Sequence, residues 1–465
     1  MHNEPAIKTL LALLGEGKVL SSSEDLLSYS YDASRGQAMP ELVILPTCAE
    51  DVQKTLRFAS ENGICVYPRG AGTGMTGGSI PERGGIALVM TSMNRILGID
   101  TANLTARVEP GVILHEFKEA VKAKGLFYPP DPASAKFATI GGTVAVNAGG
   151  LNSVKYGVTR DYILALEAVS AQGEILRFGA KTLKSKTGYD ITRLLVGSEG
   201  TLAVITEITL KLLPHPQYVE TLVLAFPNDA SALNAALKII RTPLLPSTLE
   251  FLDESAVHCA HIYTGDAFLK GAGGLLLIEF DGAHKSEGEN VHKETGRAKE
   301  IGINEGAIRI RQSADAAEIE DLWEIRRCLS PAVYELGPNK RNEDICVPRS
   351  ELPLMIGEIK RLAQENGIKV VNFAHAGDGN IHVNFMYHES DPAQAAGANK
   401  AVEELFRITI AHGGTLSGEH GIGRTKSAFL SLEIGPAERN IMKRIKALFD
   451  PQAILNPGKI FKGDS

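Results

Sequence analysis

Apolar positions in ELVILPTCAEDVQKTLRFASENGICVYPRG (41–70) fall first in a short run, then at helical spacing, then in a second short run. That order predicts strand, helix, strand, with Thr47 as the helix start signal and Glu50 three residues on as its reciprocal partner. The preceding stretch reads as an amphipathic N-terminal helix, MHNEPAIKTLLALLGEGK, followed by a connecting loop to about residue 40. After residue 85, GIALVMTSM and ITLKLLP read as β-rich, and Leu114–Ala123 as a helix. Beyond His215 the pattern changes. LVLAFPNDASALNAALKII, GGLLLIEFDG and HKSEGENVHKETGRAKEIG alternate strands with helices and lack glycine clusters, which predicts a second α+β domain. A helix over AAEIEDLWEIRRCLS carries Trp323 and Arg326. VVNFA, then a glycine-bearing turn, then alternating Ile381, Val383 and Phe385 predict a β-hairpin. The last segment, IMKRIKALFDPQAILNPGKIF (441–461), reads as a helix stopped at Asp450-Pro451 with an Asn-Pro-Gly turn after it.

Composition narrows the class. A chain of 465 residues exceeds one ordinary core, so two or three domains are expected. Apolar content of 44% and charged content of 22% are those of a globular protein. A net charge of −7 without a basic run argues against nucleic acid as a partner. Cys48, Cys65, Cys259, Cys328 and Cys346 are scattered, with no CxxC pair, which suits a reducing compartment and offers no internal iron–sulfur ligation. The N-terminus lacks the basic start and apolar core of a signal peptide, and no run nears the ~18 apolar residues of a spanning helix. The expected location is cytoplasmic, possibly peripheral to a membrane through a partner.

Two stretches carry candidate chemistry. In HAGDGNIH the hairpin brings His375 and His382 towards one point, and GGTLSGEHGIG (413–423) returns Glu419 with His420 beside it. Two imidazoles and a carboxylate with a position left open suit a catalytic divalent metal, His420 remaining as an unligated base. Five of the twelve histidines lie between His375 and His420, which makes a chance pairing a poorer account. The second stretch, AGTGMTGGSIPERGG (71–85), contains Gly72-Thr-Gly74-Met-Thr-Gly77 after a strand. A dinucleotide fingerprint needs a helix to begin there, and Gly78-Ser-Ile-Pro cannot start one, so a nicotinamide-type Rossmann site is rejected. Successive free N–H groups can still form a nest for a pyrophosphate. Two further glycine-rich stretches, 128–150 and 188–214, lie in the same half of the chain.

Together, PRGAGTGMTGGSIP, ATIGGTVAVNAGG, KYGVTRDYI, GSEGTLAVITEITL, HAGDGNIH, GEHGIG and FDPQAILNPGK make nearly the whole chain resemble the FAD-linked oxidases of the vanillyl-alcohol-oxidase superfamily. Within it the chain is most similar to the D-2-hydroxyacid dehydrogenases: D-lactate dehydrogenases, the flavin subunit of bacterial glycolate oxidases, and D-2-hydroxyglutarate dehydrogenases. The resemblance implies an α+β protein: a two-part FAD-binding domain over 1–214, an α+β, ferredoxin-like substrate and metal cap over 215–425, and a segment over 426–465 returning to the FAD domain. It implies that Arg69, Gly70, Ala71, Gly72, Thr73, Gly74, Gly77 and Gly78 surround the pyrophosphate. Ser134, Thr139, Gly142, Asn147, Gly149, Ile205 and Asn456 would line FAD. By the same resemblance His375, His382 and Glu419 bind zinc, iron or manganese. Arg326 grips the substrate carboxylate, Asn384 lies beside the substrate, and His420 takes the hydroxyl proton as hydride leaves for flavin. No histidine occurs in residues 69–81, so FAD is expected to be noncovalent.

The expected activity is metal-assisted oxidation of a small D-2-hydroxyacid such as D-lactate or glycolate. The electrons would go to an iron–sulfur or electron-transferring flavoprotein partner, or to quinone. A zinc hydrolase using the same three ligands is an alternative, but it leaves the glycine-rich stretches unexplained. A flavoprotein electron-transfer subunit without its own substrate is another. For Trp323 and the cysteines, packing is the expected role.

Overall fold

The computed structural model describes residues 4–313 and 315–461, so the first three residues of the predicted N-terminal helix lie outside it. The chain divides into two compact units. One comprises residues up to Gly149, Val158–His215 and Glu419 onward; the other comprises Gly150–Gly157 and Pro216–Gly418.

In the first unit, β1 (Val19–Leu20), β2 (Leu42–Ile44), β3 (Val66–Arg69) and β4 (Ile86–Val89) form a sheet ordered β1-β2-β4-β3, with β2 and β3 parallel to β4. The helix Ala49–Asn62 makes the crossover and buries Val52, Leu56 and Ala59. Its cap differs from expectation. Cys48, not Thr47, is the N-cap residue, and it makes no side-chain cap bond. Asp51 reaches back instead of Glu50, accepting from the Thr47 N–H and hydroxyl at 2.9 Å each and from Lys18 at 2.7 Å. The lysine decides which carboxylate turns inward, and it lies 33 residues away. The region to residue 40 also holds more than a loop: β1 and a short helix, Ser23–Ser28, capped by Ser22.

The next strands are β5 (Ile96–Asp100), β6 (Thr105–Val108), β7 (Leu126–Phe127), β8 (Ile163–Val169), β9 (Ile175–Gly179), β10 (Val204–Lys211) and β11 (Leu213–Pro214). Five of them make an antiparallel sheet ordered β5-β6-β10-β8-β9, while β7 pairs with β11.

The second unit is built on one seven-stranded antiparallel sheet. Its strands are β12 (Tyr218–Phe226), β13 (Thr248–Asp253), β14 (Gly274–Gly282), β15 (Arg309–Gln312), β16 (Asn339–Cys346), β17 (Lys369–His375) and β18 (Asn380–Tyr387). They are ordered β15-β12-β14-β13-β17-β18-β16. Alternation assigns the faces. Leu222, Leu224, Leu276, Ile278, Phe251, Ile381, Val383 and Phe385 point one way and are fully buried. The opposite face is apolar in part, where Val223, Leu252, Leu275, Leu277 and Val371 meet the helices Glu254–Thr264 and Ala316–Arg327. On that same face, direct strand partners place Glu250 opposite His375, His382 opposite Asp344, and Asn384 opposite Asn342. These polar groups are therefore gathered on one side of a rigid sheet. Trp323, Cys259 and Cys328 belong to the apolar cluster there.

Candidate active site

β17 and β18 form the predicted hairpin, connected through residues 376–379. Gly379 has φ +95°, and a Cβ there would fall 2.1 Å from the Val347 carbonyl oxygen, so only glycine fits the turn. His382 lies opposite Phe373, two residues before His375, which puts both imidazoles on one face. Their Nε2 atoms are 3.2 Å apart. Two nitrogens on one tetrahedral ion with metal–nitrogen bonds of about 2.0–2.1 Å would be roughly 3.3 Å apart, so the spacing fits a shared cation. After the helix Pro392–Ala411, the chain pairs with β16 at Thr415, and Ser417 Oγ lies 3.1 Å from both oxygens of Asp344. Gly418 comes so close to Asn380 that a Cβ would lie 2.2 Å from its amide nitrogen. Within the second unit His375 and His382 supply the two imidazoles, and Glu419 follows Gly418 directly in the chain.

The orientation of His375 is set from behind. Its Nδ1 is 2.5 Å from Glu250 Oε1, and because a carboxylate only accepts, Nδ1 holds the proton and Nε2 keeps its lone pair. The other oxygen, Glu250 Oε2, accepts from Arg326 Nε at 2.7 Å. Glu250 has no solvent exposure and the Arg326 side chain has 11%. Burial alone would push the Glu250 carboxyl up, but its contacts with His375 and Arg326 outweigh it and hold it below the usual range. Arg326 also stacks over Phe373, its Cζ 4.4 Å from the ring centroid. Among the described residues Glu250 takes only Nε, which leaves the two Nη groups as donors. Asn384 is 1% exposed, donating to the Val371 carbonyl at 3.1 Å and accepting from Asn342 at 2.7 Å.

His420 opens a segment pinned within the first unit. Its carbonyl accepts from Thr76 Oγ1 at 3.3 Å, and its Nε2 is 3.9 Å from Glu419 Oε1. The N–H groups of Ile422 and Gly423 both donate to Glu199, each at 2.8 Å. Glu199 holds φ +53°, and burial pushes its carboxyl up despite those two bonds.

The same unit draws the glycine-rich stretches together. No helix follows β3; residues 70–85 are bends and turns, with φ +75° at Gly72 and +73° at Gly77. A Cβ on Gly70 would lie 2.4 Å from Thr139 Oγ1, and Thr139 caps the short helix holding Gly142. Gly74 has no atom within 4 Å of such a Cβ. Asn456 Nδ2 donates to the carbonyls of Gly78 and Glu199 at 2.8 and 2.7 Å. Its Oδ1 is buried without a partner among the described residues, a state that costs about 1–3 kcal/mol. Closely approached backbone, open space at Gly74 and an orphaned acceptor fit a polyanionic, hydrogen-bonding cofactor such as FAD. Asn147 takes the left-handed conformation and accepts from the Arg160 N–H at 2.8 Å. Ser134 is half-buried, Gly149 is buried, and Ile205 lies on β10.

Sequence reasoning missed Glu250 and Glu199. For Glu250 a signal existed: a carboxylate inside STLEFLD, where the strand reads as buried on both faces. Glu199 gave none beyond its place between two glycines.

Residues 215–460 match the FAD linked oxidases, C-terminal domain, and residues 40–179 match the FAD binding domain. The chain is 40% identical to the glycolate oxidase subunit GlcD of Bacillus subtilis (strain 168), covering 98% of this chain and 96% of that one. It is 36% identical to a D-lactate dehydrogenase of Anaerostipes hadrus, covering 95% and 94%. A p-cresol methylhydroxylase structure with substrate bound shares the fold, with a TM-score of 0.82 over 99% of this chain and 98% of that one, at 19% identity. No helix among the described residues is long and apolar enough to cross a membrane. The glycine-built cradle and these matches make the chain a member of the FAD-linked oxidase family, of the glycolate oxidase and D-lactate dehydrogenase type.

Proposed function

We propose that the protein oxidises a small D-2-hydroxyacid to the 2-oxoacid with FAD and a divalent cation, and passes the electrons to a non-nicotinamide acceptor. The observation that carries this reading is the Glu250 bridge. It ties an arginine with two donors to spare to a histidine in a ready-made ligand set. The first unit is read as the FAD domain and the second as the substrate cap. FAD, when bound along Arg69–Gly78, Ser134, Thr139, Gly142, Asn147, Gly149, Ile205 and Asn456, supplies a hydride acceptor. A zinc, iron or manganese ion held by His375, His382 and Glu419 would lower the pKa of the substrate hydroxyl.

The side chains do the rest. The Nη groups of Arg326 make a planar fork that matches a carboxylate, and stacking on Phe373 keeps the fork from turning. Asn384 is held by two bonds on the same sheet face, a fixed polar neighbour for the substrate. His420 receives the hydroxyl proton at an imidazole nitrogen, which suits transfer near neutral pH. With no histidine in residues 69–81, FAD is held noncovalently. Five scattered cysteines point to an outside acceptor: an iron–sulfur protein, an electron-transferring flavoprotein or quinone, reached from the cytoplasm or at a membrane surface. The deciding experiment is an anaerobic panel of D- and L-2-hydroxyacids scored by flavin bleaching. A D-hydroxyacid should bleach the flavin fastest, and no bleaching by any member would overturn the reading.

A further inference from the structure

Glu250 serves two masters with one carboxylate. Oε1 receives the Nδ1 proton of His375 and Oε2 receives the Nε proton of Arg326, with no exposure to water. The strand register fixes it there: Glu250 stands directly opposite His375 across β13 and β17, and Arg326 descends onto the same face from its helix. Both partners need an acceptor, and a carboxylate has two oxygens where an amide has one.

We infer that Glu250 is a positioning residue that couples cation binding to substrate-carboxylate binding. One oxygen fixes the His375 tautomer that carries its proton on Nδ1 and turns the Nε2 lone pair towards His382, and the other aims the fork of Arg326. This rests on the function proposed above and extends it. A carboxylate behind a ligating imidazole sets its ring and raises its basicity. Here the same group also orients the arginine, so the loss of one of its two acceptors is felt at both sites.

Glu250→Gln separates this from mere filling of space, because size is kept and one acceptor is lost. The charged guanidinium is the stronger donor and captures the single oxygen. The amide NH2 then faces His375 Nδ1, which must become an acceptor, and the proton moves to Nε2, where it blocks ligation. Removing the competitor in Glu250→Gln/Arg326→Met returns the oxygen to His375.

The experiment is Mn2+ titration of the FAD-loaded, chelator-stripped protein, with flavin absorbance and thermal unfolding followed for every variant. Loss of such an outer partner typically weakens metal affinity about 10–100-fold, and that loss is expected for Glu250→Gln. Arg326→Met should bind Mn2+ like the parent, and the double variant should bind more tightly than Glu250→Gln alone. Parental affinity in Glu250→Gln, or no recovery in the double variant, overturns the inference and leaves the proposed function standing. Absence of saturable Mn2+ binding in the parent overturns both. Should Glu250→Gln fail to hold FAD, histidine 15N NMR of the metal-free parent decides. Protonated Nδ1 at His375 supports the coupling, and unprotonated Nδ1 refutes it.

Discussion

The glycine loop of the first unit and the polar sheet face of the second are built from different materials. Residues 70–78 offer main chain: positive φ at Gly72 and Gly77, and open space at Gly74. The sheet face of the second unit offers side chains on rigid strands, Glu250, His375, His382 and Asn384, all under 10% exposed and each held by hydrogen bonds. A backbone site tolerates little added bulk, yet it needs no particular side chain at most positions. A side-chain site is the reverse: its strands are replaceable in kind, while each polar group has partners that a substitution leaves stranded in a dry interior.

The largest expected effect separates two adjacent residues with different proposed tasks. Glu419→Gln removes an anionic ligand, so metal content should fall while FAD stays, and excess metal should partly restore activity. His420→Ala should retain both and lose the proton acceptor, slowing flavin reduction about 10²–10⁴-fold, with no rescue by metal. Metal analysis with stopped-flow reduction reads both. Metal loss in His420→Ala would make His420 a ligand and move the base elsewhere.

Gly74→Val tests the backbone side of the contrast. Nothing crowds a Cβ there, so thermal stability of the FAD-free protein should match the parent, while FAD affinity drops roughly tenfold or more, about 1.4 kcal/mol per tenfold. Unchanged FAD affinity in a binding titration would remove this loop from the cofactor site.

Arg326→Lys brings the contrast to one side chain. Lysine keeps the charge and loses both the fork and the Nε donor that Glu250 uses. The KM for the best hydroxyacid should rise about tenfold, roughly the difference between a bidentate and a single charged contact, while FAD content holds. Unchanged kinetics would make Arg326 a structural charge.

The smallest effect sits on β13 itself. Three residues from Glu250, on the opposite face, Asp253 is also without exposure, but burial pushes its carboxyl up to about 7, helped by Asp229 and opposed by Lys360. It caps the next helix through Ala256 N–H at 2.8 Å and accepts from Asn372 at 2.9 Å. An acid near 3.9 when unfolded and about 7 when folded binds an extra proton in the native state across that interval. Its contribution is therefore intact below pH 4 and lost as pH rises towards 7. Asp253→Asn should flatten that decline, so its melting temperature relative to the parent should improve between pH 5 and pH 7.5. A constant difference across that range would refute the assignment.

The hairpin, the glycine stretches and the Glu419–His420 pair were legible in the amino-acid order, because turn chemistry and strand alternation act over a few residues. The absence of a helix after Gly77 was legible for the same reason. The helix start at residues 47–51 was half legible: composition marked the place, but a distant lysine chose Asp51 over Glu50. Glu250, Arg326 and His375 are separated along the chain by 76 and 125 residues. Alternation tells which way a strand residue points, never which strand lies beside it. Pairing of β13 with β17, and the seating of the Arg326 helix over that face, made one carboxylate a shared acceptor. Glu199 became an anchor for the His420 segment the same way, through two N–H groups more than 220 residues on. Local order supplied the reactive groups. Long-range packing decided which buried polar groups had to satisfy one another, because in a water-free interior each must find its partner there.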